Sequence, residues 1–288
     1  MNTFQEFCFC TLAVGDRYRA HAQMLAQDIQ NHMPSKTLCV LTDRPEQFAR
    51  FPHVLAFKHH LQSVKGYHDK RFVLEKALSL FESCMFLDSD VRVLGPAVED
   101  LIWSPGITAR AGSSLATRIQ VITNQKELNV IKESAQKLNV DIQQAQWLQE
   151  FMFVIKRQNG LEEDFFEIWQ TISFFFELQV IYDGEGSVMG LAAARIGMTF
   201  DFFREDKFLF FKDNIERVRV KNGQSSLQDK QIYFDIHKKI ESPKSFIWDK
   251  VRNKLIKKAV FYYRLLRLRF FVKQDPKFHT IFASASKK

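Results

Sequence analysis

The sequence predicts an α/β fold built on a mostly parallel central sheet with flanking helices. Short apolar runs alternate with amphipathic segments across residues 4–94, in the order strand, helix, strand, strand, helix, strand. Polar, turn-forming residues stand at the carboxyl ends of three of those strands: Thr11 to Gly15, Asp43, and Asp88 to Asp90. Ligands of open α/β sheets bind at such ends. The composition agrees. Of 288 residues 46% are hydrophobic, enough for a sizeable core. Phe is abundant (29) while Gly (11) and Pro (7) are modest, which excludes a low-complexity or disordered chain.

Each element has its own signal. Phe4 to Leu12 is an apolar, aromatic run and reads as the first strand. Asp16 is placed to cap a helix in which Tyr18, Ala22, Leu25 and Ile29 recur at helical spacing, and Pro34 closes it. Thr37 to Thr42 and His53 to Phe57 are the next strands. Asp69 can cap a helix carrying Phe72, Val73, Ala77 and Leu80, and Cys84 to Leu87 is the strand that enters the Asp pair. Phe151 to Ile155 is a later strand, and Leu161 to Phe176 is a helix whose many aromatic residues suit a core face. Glu185 opens an Ala-rich helix from a turn of alternating acids and glycines, Asp183-Gly184-Glu185-Gly186. Phe208 to Phe211 and Ile232 to Ile236 read as further short strands, with His237 after the last. Ser242-Pro243-Lys244-Ser245 is the one convincing boundary, so residues 1–240 form the main domain and 241–288 a tail.

The stretch with the most chemistry is Met85-Phe86-Leu87-Asp88-Ser89-Asp90. Two carboxylates at the mouth of a buried strand are costly unless a cation neutralises them. Hard oxygen ligands suit Mg²⁺ or Mn²⁺, which in turn bind phosphate oxygens, so a metal–diphosphate site is expected. An ordinary strand followed by a solvated acidic turn is the plain alternative.

Charge and cysteines narrow the classes further. The net charge is +8, but residues 250–274 hold nine Lys or Arg and no acid, and without them the chain carries a net charge of −1. The main body is therefore not a nucleic-acid surface, and no nucleic-acid partner is expected. Cys8, Cys10, Cys39 and Cys84 fall in strands without metal-ligand or redox spacing and read as reduced core residues of a cytoplasmic protein. Neither a secretion signal at Met1 to Glu6 nor a membrane-spanning run is expected. In the tail, Ile256, Val260, Tyr263, Leu266 and Phe270 recur at steps of three or four among basic residues. That is the composition of a helix lying on an anionic membrane surface through residues 250–273. A basic helix packed on the body with a solvated outer face is the alternative.

Three segments together resemble the nucleotide-sugar glycosyltransferases of the GT-A fold, in particular the glycogenin-like and blood-group-transferase-like families. They are Thr11-Leu12-Ala13-Val14-Gly15-Asp16, Asp69-Lys70-Arg71-Phe72-Val73-Leu74-Glu75-Lys76-Ala77 and Phe86-Leu87-Asp88-Ser89-Asp90. The resemblance spans residues 4–240. It implies a nucleoside pocket lined by Thr11, Ala13 and Tyr18, with Asp43 near the base or ribose and Ser89 near the ribose. It implies Mn²⁺ or Mg²⁺ on Asp88 and Asp90 with His237 as third ligand, and Lys70 or Arg71 on phosphate. Glu185, then Asp183, are the acceptor-side carboxylates it suggests. The families imply a UDP-sugar donor, a retaining outcome and a glycan or lipid-linked acceptor. No Lys-Pro-Trp follows His237; Lys238, Lys239 and Lys244 stand there instead.

Three other classes share the Asp-x-Asp pattern or the general fold. A haloacid-dehalogenase-type phosphatase would use Asp88 as nucleophile and Asp90 as acid/base, but its motif belongs on a first strand. A non-catalytic membrane-binding protein on a degenerate transferase fold would bind no nucleotide. A sugar nucleotidyltransferase lacks its Gly-rich phosphate loop here.

Overall fold

The computed structural model describes residues 5–98, 100–203, 205–242 and 247–283. The first half runs β1 (Gln5–Ala13), α1 (Asp16–His32), β2 (Thr37–Thr42), β3 (Val54–Lys58), α2 (Lys70–Leu78) and β4 (Phe81–Leu87). Next come β5 (Arg92–Ala97), β6 (Gly106–Ala109), β7 (Gly112–Ser114), α3 (Leu115–Gln120), α4 (Gln125–Leu138), β8 (Gln146–Leu148) and β9 (Met152–Lys156). The last part runs α5 (Leu161–Leu178), α6 (Glu185–Ile196), β10 (Phe200–Phe202), β11 (Phe208–Phe211), α7 (Asp213–Lys221), α8 (Leu227–Glu241) and α9 (Ile247–Gln274).

The central sheet has seven strands in the order β10-β6-β9-β4-β1-β2-β3. All its pairings are parallel except the two made by β9. The expected class, α/β with a mostly parallel sheet and flanking helices, is the observed one. The chain builds outward from β1 to β2 and β3, then returns to place β4 on the other side of β1. That reversal opens a crevice beyond the carboxyl ends of β1 and β4.

Strand alternation divides the core. Phe7 and Phe9 point to one face, with Leu25, Ala26 and Ile29 of α1. Cys8 and Cys10 point to the other, with Val73 and Leu74 of α2 and the aromatic face of α5, where Trp169 is fully buried. Cys39 and Cys84 lie on the same face as Cys8 and Cys10; all four are free and buried. Burial pushes the Cys39 thiol up to about 12, so these residues act as small apolar packing.

Three local expectations are corrected. Ile232 to Ile236 are helical, within α8, rather than a strand. Ser226 starts that helix by accepting from the Asp229 N–H, and only Phe234 of the run is buried, against Phe211. A short apolar run does not by itself distinguish strand from helix. Asp69 does not cap α2: its carboxylate is fully buried and accepts from the backbone N–H groups of Gln62 and Ser63, with His59 Nε2 at 2.7 Å. Gly15, not Asp16, holds the N-cap position of α1.

The tail forms α9, as expected of a helical segment, and α9 is attached to the body. Leu268 and Val272, with Phe278 and Phe282 beyond the helix, join the core on the α5 face. Phe282 stacks on Phe175 at 4.4 Å. Arg264 and Arg267 donate to the carbonyls of Val64, Leu61 and Gln62, fastening the loop before α2. Of the expected boundary Ser242-Pro243-Lys244-Ser245, residues 243–245 lie outside the described residues.

Candidate functional site

The crevice holds a cavity of about 340 Å³. The end of β1 and the residue after it supply Leu12 and Val14, and α1 supplies Arg17, Tyr18 and His21. The loop before α2 supplies Tyr67, and α2 begins with Lys70. β4 ends in a tight turn in which the Val91 N–H donates to the Asp88 carbonyl, aiming Asp88, Ser89 and Asp90 into the cavity. His237 and Glu241 enter from α8.

The two carboxylates of the turn are held by lysines. Lys212 Nζ lies 2.9 Å from Asp88 Oδ2 and 2.5 Å from Asp90 Oδ1. Lys70 Nζ lies 3.2 Å from Asp88 Oδ1 and 3.2 Å from Glu185 Oε1, and it donates to the Glu150 carbonyl. Sheet register explains the first contact. β11 pairs antiparallel with β5, setting Phe211 opposite Arg92, so the next residue, Lys212, falls beside the Asp-x-Asp turn. A bidentate Arg92–Asp28 ion pair ties β5 to α1.

These charges set one another. Burial pushes the Asp88 carboxyl up, but Lys212 and then Lys70 outweigh it and hold it below the usual range. Asp90 is likewise held well below that range, by His237 and Lys212 against the cost of burial. Burial alone would lower both lysines; the facing carboxylates raise them instead. Contact with Asp90 raises the His237 imidazole. Glu150 behaves oppositely. Burial, then the nearby Glu185 carboxylate, pushes it up to about 7, while it accepts the Gly186 N–H at 2.8 Å at the start of α6.

Most residues expected from the sequence converge here. Asp88, Asp90, Ser89, Tyr18, Lys70 and His237 line the cavity, and Glu185 reaches it through Lys70. His237 Nε2 lies 3.6 Å from Asp90 Oδ2. Others lie elsewhere. Thr11 and Ala13 are fully buried, and the alternate residues Leu12 and Val14 face the cavity. Asp43 is engaged by Arg19 and the Gly15 N–H, which fastens the β1–α1 turn. Arg71 turns away to Glu75 and Gln170, and Asp183 is exposed to solvent. Lys212, Glu150, His21 and Glu241 were not expected. None sits in a motif; the one available signal for Lys212 was its place directly after an apolar strand.

A larger cavity of about 480 Å³ lies between α2, α5 and α9. It holds the buried Glu177, whose carboxylate accepts from the Val64 N–H. The opposed charges and the strand-order reversal make the 340 Å³ cavity the better functional candidate.

No known family model matches the chain, and no curated protein matches it. Solved structures do. One is a galactosyltransferase, LgtC, determined in complex with donor and acceptor sugar analogues. It is 12% identical, with a TM-score of 0.46, over 67% of this chain and 72% of that one. At that distance the likeness concerns fold alone, and the site is read from its own geometry.

Proposed function

We propose that the chain is a glycosyltransferase that moves a sugar from a nucleotide-diphosphate donor, a UDP-sugar, to a hydroxyl of a glycan or glycolipid acceptor with retention. The observation that supports this best is the charge layout at the crevice. The buried Lys212 and the largely buried Lys70 stand beside a carboxylate pair at the point where an α/β sheet binds nucleotides. Breaking the bond from the anomeric carbon to the diphosphate leaves negative charge on phosphate. Lys70 and Lys212 are placed to stabilise that charge as it develops. Tyr18 and Tyr67 offer flat faces for the nucleoside, and Ser89 a hydroxyl for the ribose. Glu185 is the acceptor-side carboxylate. Glu150, with its carboxyl near neutrality, is suited to take the acceptor's proton.

The donor atoms fit a divalent cation in kind: carboxylate oxygens of Asp88 and Asp90 with a nitrogen of His237. Mn²⁺ or Mg²⁺ held there would supply positive charge to the diphosphate. Lys212 Nζ is within hydrogen-bond distance of both aspartates and would add its own positive charge there.

A thermal-shift panel of UDP-, GDP- and CDP-sugars, each with Mn²⁺ or with EDTA, tests the reading. One nucleotide class should stabilise the protein, by about 2.7 kcal/mol at 100 times its dissociation constant. Asp88→Asn and Asp90→Asn should each abolish sugar transfer. Absence of any nucleotide response would leave the haloacid-dehalogenase-type phosphatase and a non-catalytic role for the fold.

We also propose that α9 docks on an anionic membrane. Its outer face exposes Ile256, Tyr263, Leu266 and Phe270 beside Lys257, Lys258, Arg269 and Lys273. Apolar and aromatic side chains among cations suit a lipid headgroup layer. Among the described residues no helix is long and apolar enough to cross a membrane.

A further inference from the structure

We infer that His21, His237 and Glu241 form a nitrogen-rich divalent-cation centre beside the Asp-x-Asp pair. Each offers one ligand atom, and those atoms lie within 4.8 Å of one another. The constellation is assembled by two helices. His237 and Glu241 are four residues apart on α8 and therefore share a face. His21 comes from α1 and is only 2% exposed. The two imidazole centroids are 5.2 Å apart, and His21 Nε2 is 3.1 Å from Glu241 Oε1. All three residues line the same cavity as Asp88 and Asp90.

Two considerations favour this centre over one bridging the aspartates. The first is charge. Lys212 Nζ already stands between Asp88 and Asp90, and a divalent ion beside an ammonium is repelled. Among the described residues, the ion pairs of His21, His237 and Glu241 include no lysine. Their competing cation is Arg17, on Glu241 Oε2 and the Tyr18 hydroxyl, with a side chain 43% exposed. The second is ligand chemistry. Two imidazoles and one carboxylate suit Zn²⁺ or Mn²⁺, whereas Mg²⁺ prefers oxygen ligands and its own waters. The centre's role, meeting a donor diphosphate in the cavity it shares with Lys70, rests on the proposed transferase reading. Its existence rests on the geometry alone.

Equilibrium dialysis of the full chain, stripped with chelator and offered Zn²⁺, Mn²⁺ or Mg²⁺ alone, tests it, with bound metal measured by elemental analysis. One equivalent of Zn²⁺ or Mn²⁺ should bind at a free concentration where Mg²⁺ does not. His21→Gln and Glu241→Gln should each weaken binding by about 10-fold or more. Co²⁺ should give a visible spectrum of nitrogen ligation that His21→Gln alters. Should His21→Gln fail to fold, Glu241→Gln at the partly exposed end of α8 decides the matter. Binding that ignores Glu241→Gln and is lost in Asp88→Asn overturns the centre, as does a preference for Mg²⁺ or no binding at all. No nucleotide is present, so failure here leaves the donor-binding panel to judge the transferase reading separately.

Discussion

Lys212 shows how much one residue decides at this site. It brings an ammonium to two carboxylates that would otherwise face each other across a tight turn. Lys212→Met should lower stability at pH 7 by about 2 kcal/mol, less than for a fully buried pair because the aspartates keep about a quarter of their exposure. Both aspartates are held below the usual carboxylate range, so this stabilisation is complete above that range and is lost only as pH falls beneath it, through their lowered values. The gap between variant and wild type should therefore be full above about pH 5 and narrow progressively as the solution is acidified below about pH 4, read by denaturant unfolding at each pH. Glu177 has the opposite sign. Burial pushes its carboxyl to about 8 from an ordinary 4.5, with Asp69 raising it further and Arg264 opposing. Its contribution is complete below pH 4.5, declines as pH rises toward 8 and is gone above that. Glu177→Gln keeps an acceptor for the Val64 N–H. The variant should be more stable than wild type at pH 8 by about 1 kcal/mol or more, and close to it at pH 5.

At the level of elements, α6 is shaped by what it must approach. Gly186 and Gly190 are one turn apart, and a Cβ at Gly190 would stand 1.6 Å from the Gln146 carbonyl oxygen. A Cβ at Gly186 would stand 2.0 Å from the Leu148 carbonyl oxygen. The glycines let the helix lie against the β8 backbone, which sets Glu150 at the helix start and Glu185 beside Lys70. Ala in place of Gly usually stabilises a helix by about 1 kcal/mol. Gly190→Ala should instead destabilise by about 3 kcal/mol or more, because the obstacle is backbone that cannot rotate away. α5 presents the reverse case. It ends with Val180 at φ 61, a left-handed conformation that β-branched residues resist, and that side chain is exposed. Val180→Gly should stabilise by about 1 kcal/mol in a thermal melt. The two substitutions together separate close packing from backbone strain as reasons for glycine.

Across the whole molecule, the tail serves the core and the surface at once. Leu268 and Val272 are buried while Tyr263, Leu266 and Phe270 are exposed. The heptad-like stripe legible in the sequence is thus the outer one. The inner one, with Phe261 and Leu265 packed alongside, could be told from it only once α5 was in place. Removal of residues 254–288 should lower the melting temperature, since it strips Leu268, Val272, Phe278 and Phe282 from the core. The triple variant Tyr263→Ser, Leu266→Ser, Phe270→Ser should melt like wild type and lose binding to anionic vesicles in a sedimentation assay. Unchanged vesicle binding would remove the membrane proposal.

The sequence by itself determined the fold class, the first four sheet strands, and the place of Asp88, Ser89, Asp90 and Lys70 at strand and helix ends. Those features are local: apolar runs, turn residues and a short acidic motif between neighbours in the chain. It also pointed to Glu185, at the start of its helix. The tertiary structure alone decided the strand order that opens the crevice, and the two pairings made by β9. It decided which of Thr11 and Leu12, or Lys70 and Arg71, faces the cavity. It brought Lys212 to the aspartates from 122 residues away, and His21 to Glu241 across 220. The physical reason is that register and helix packing are settled by burial of whole faces. Polar partners far apart in the chain carry no mark of each other until those faces meet.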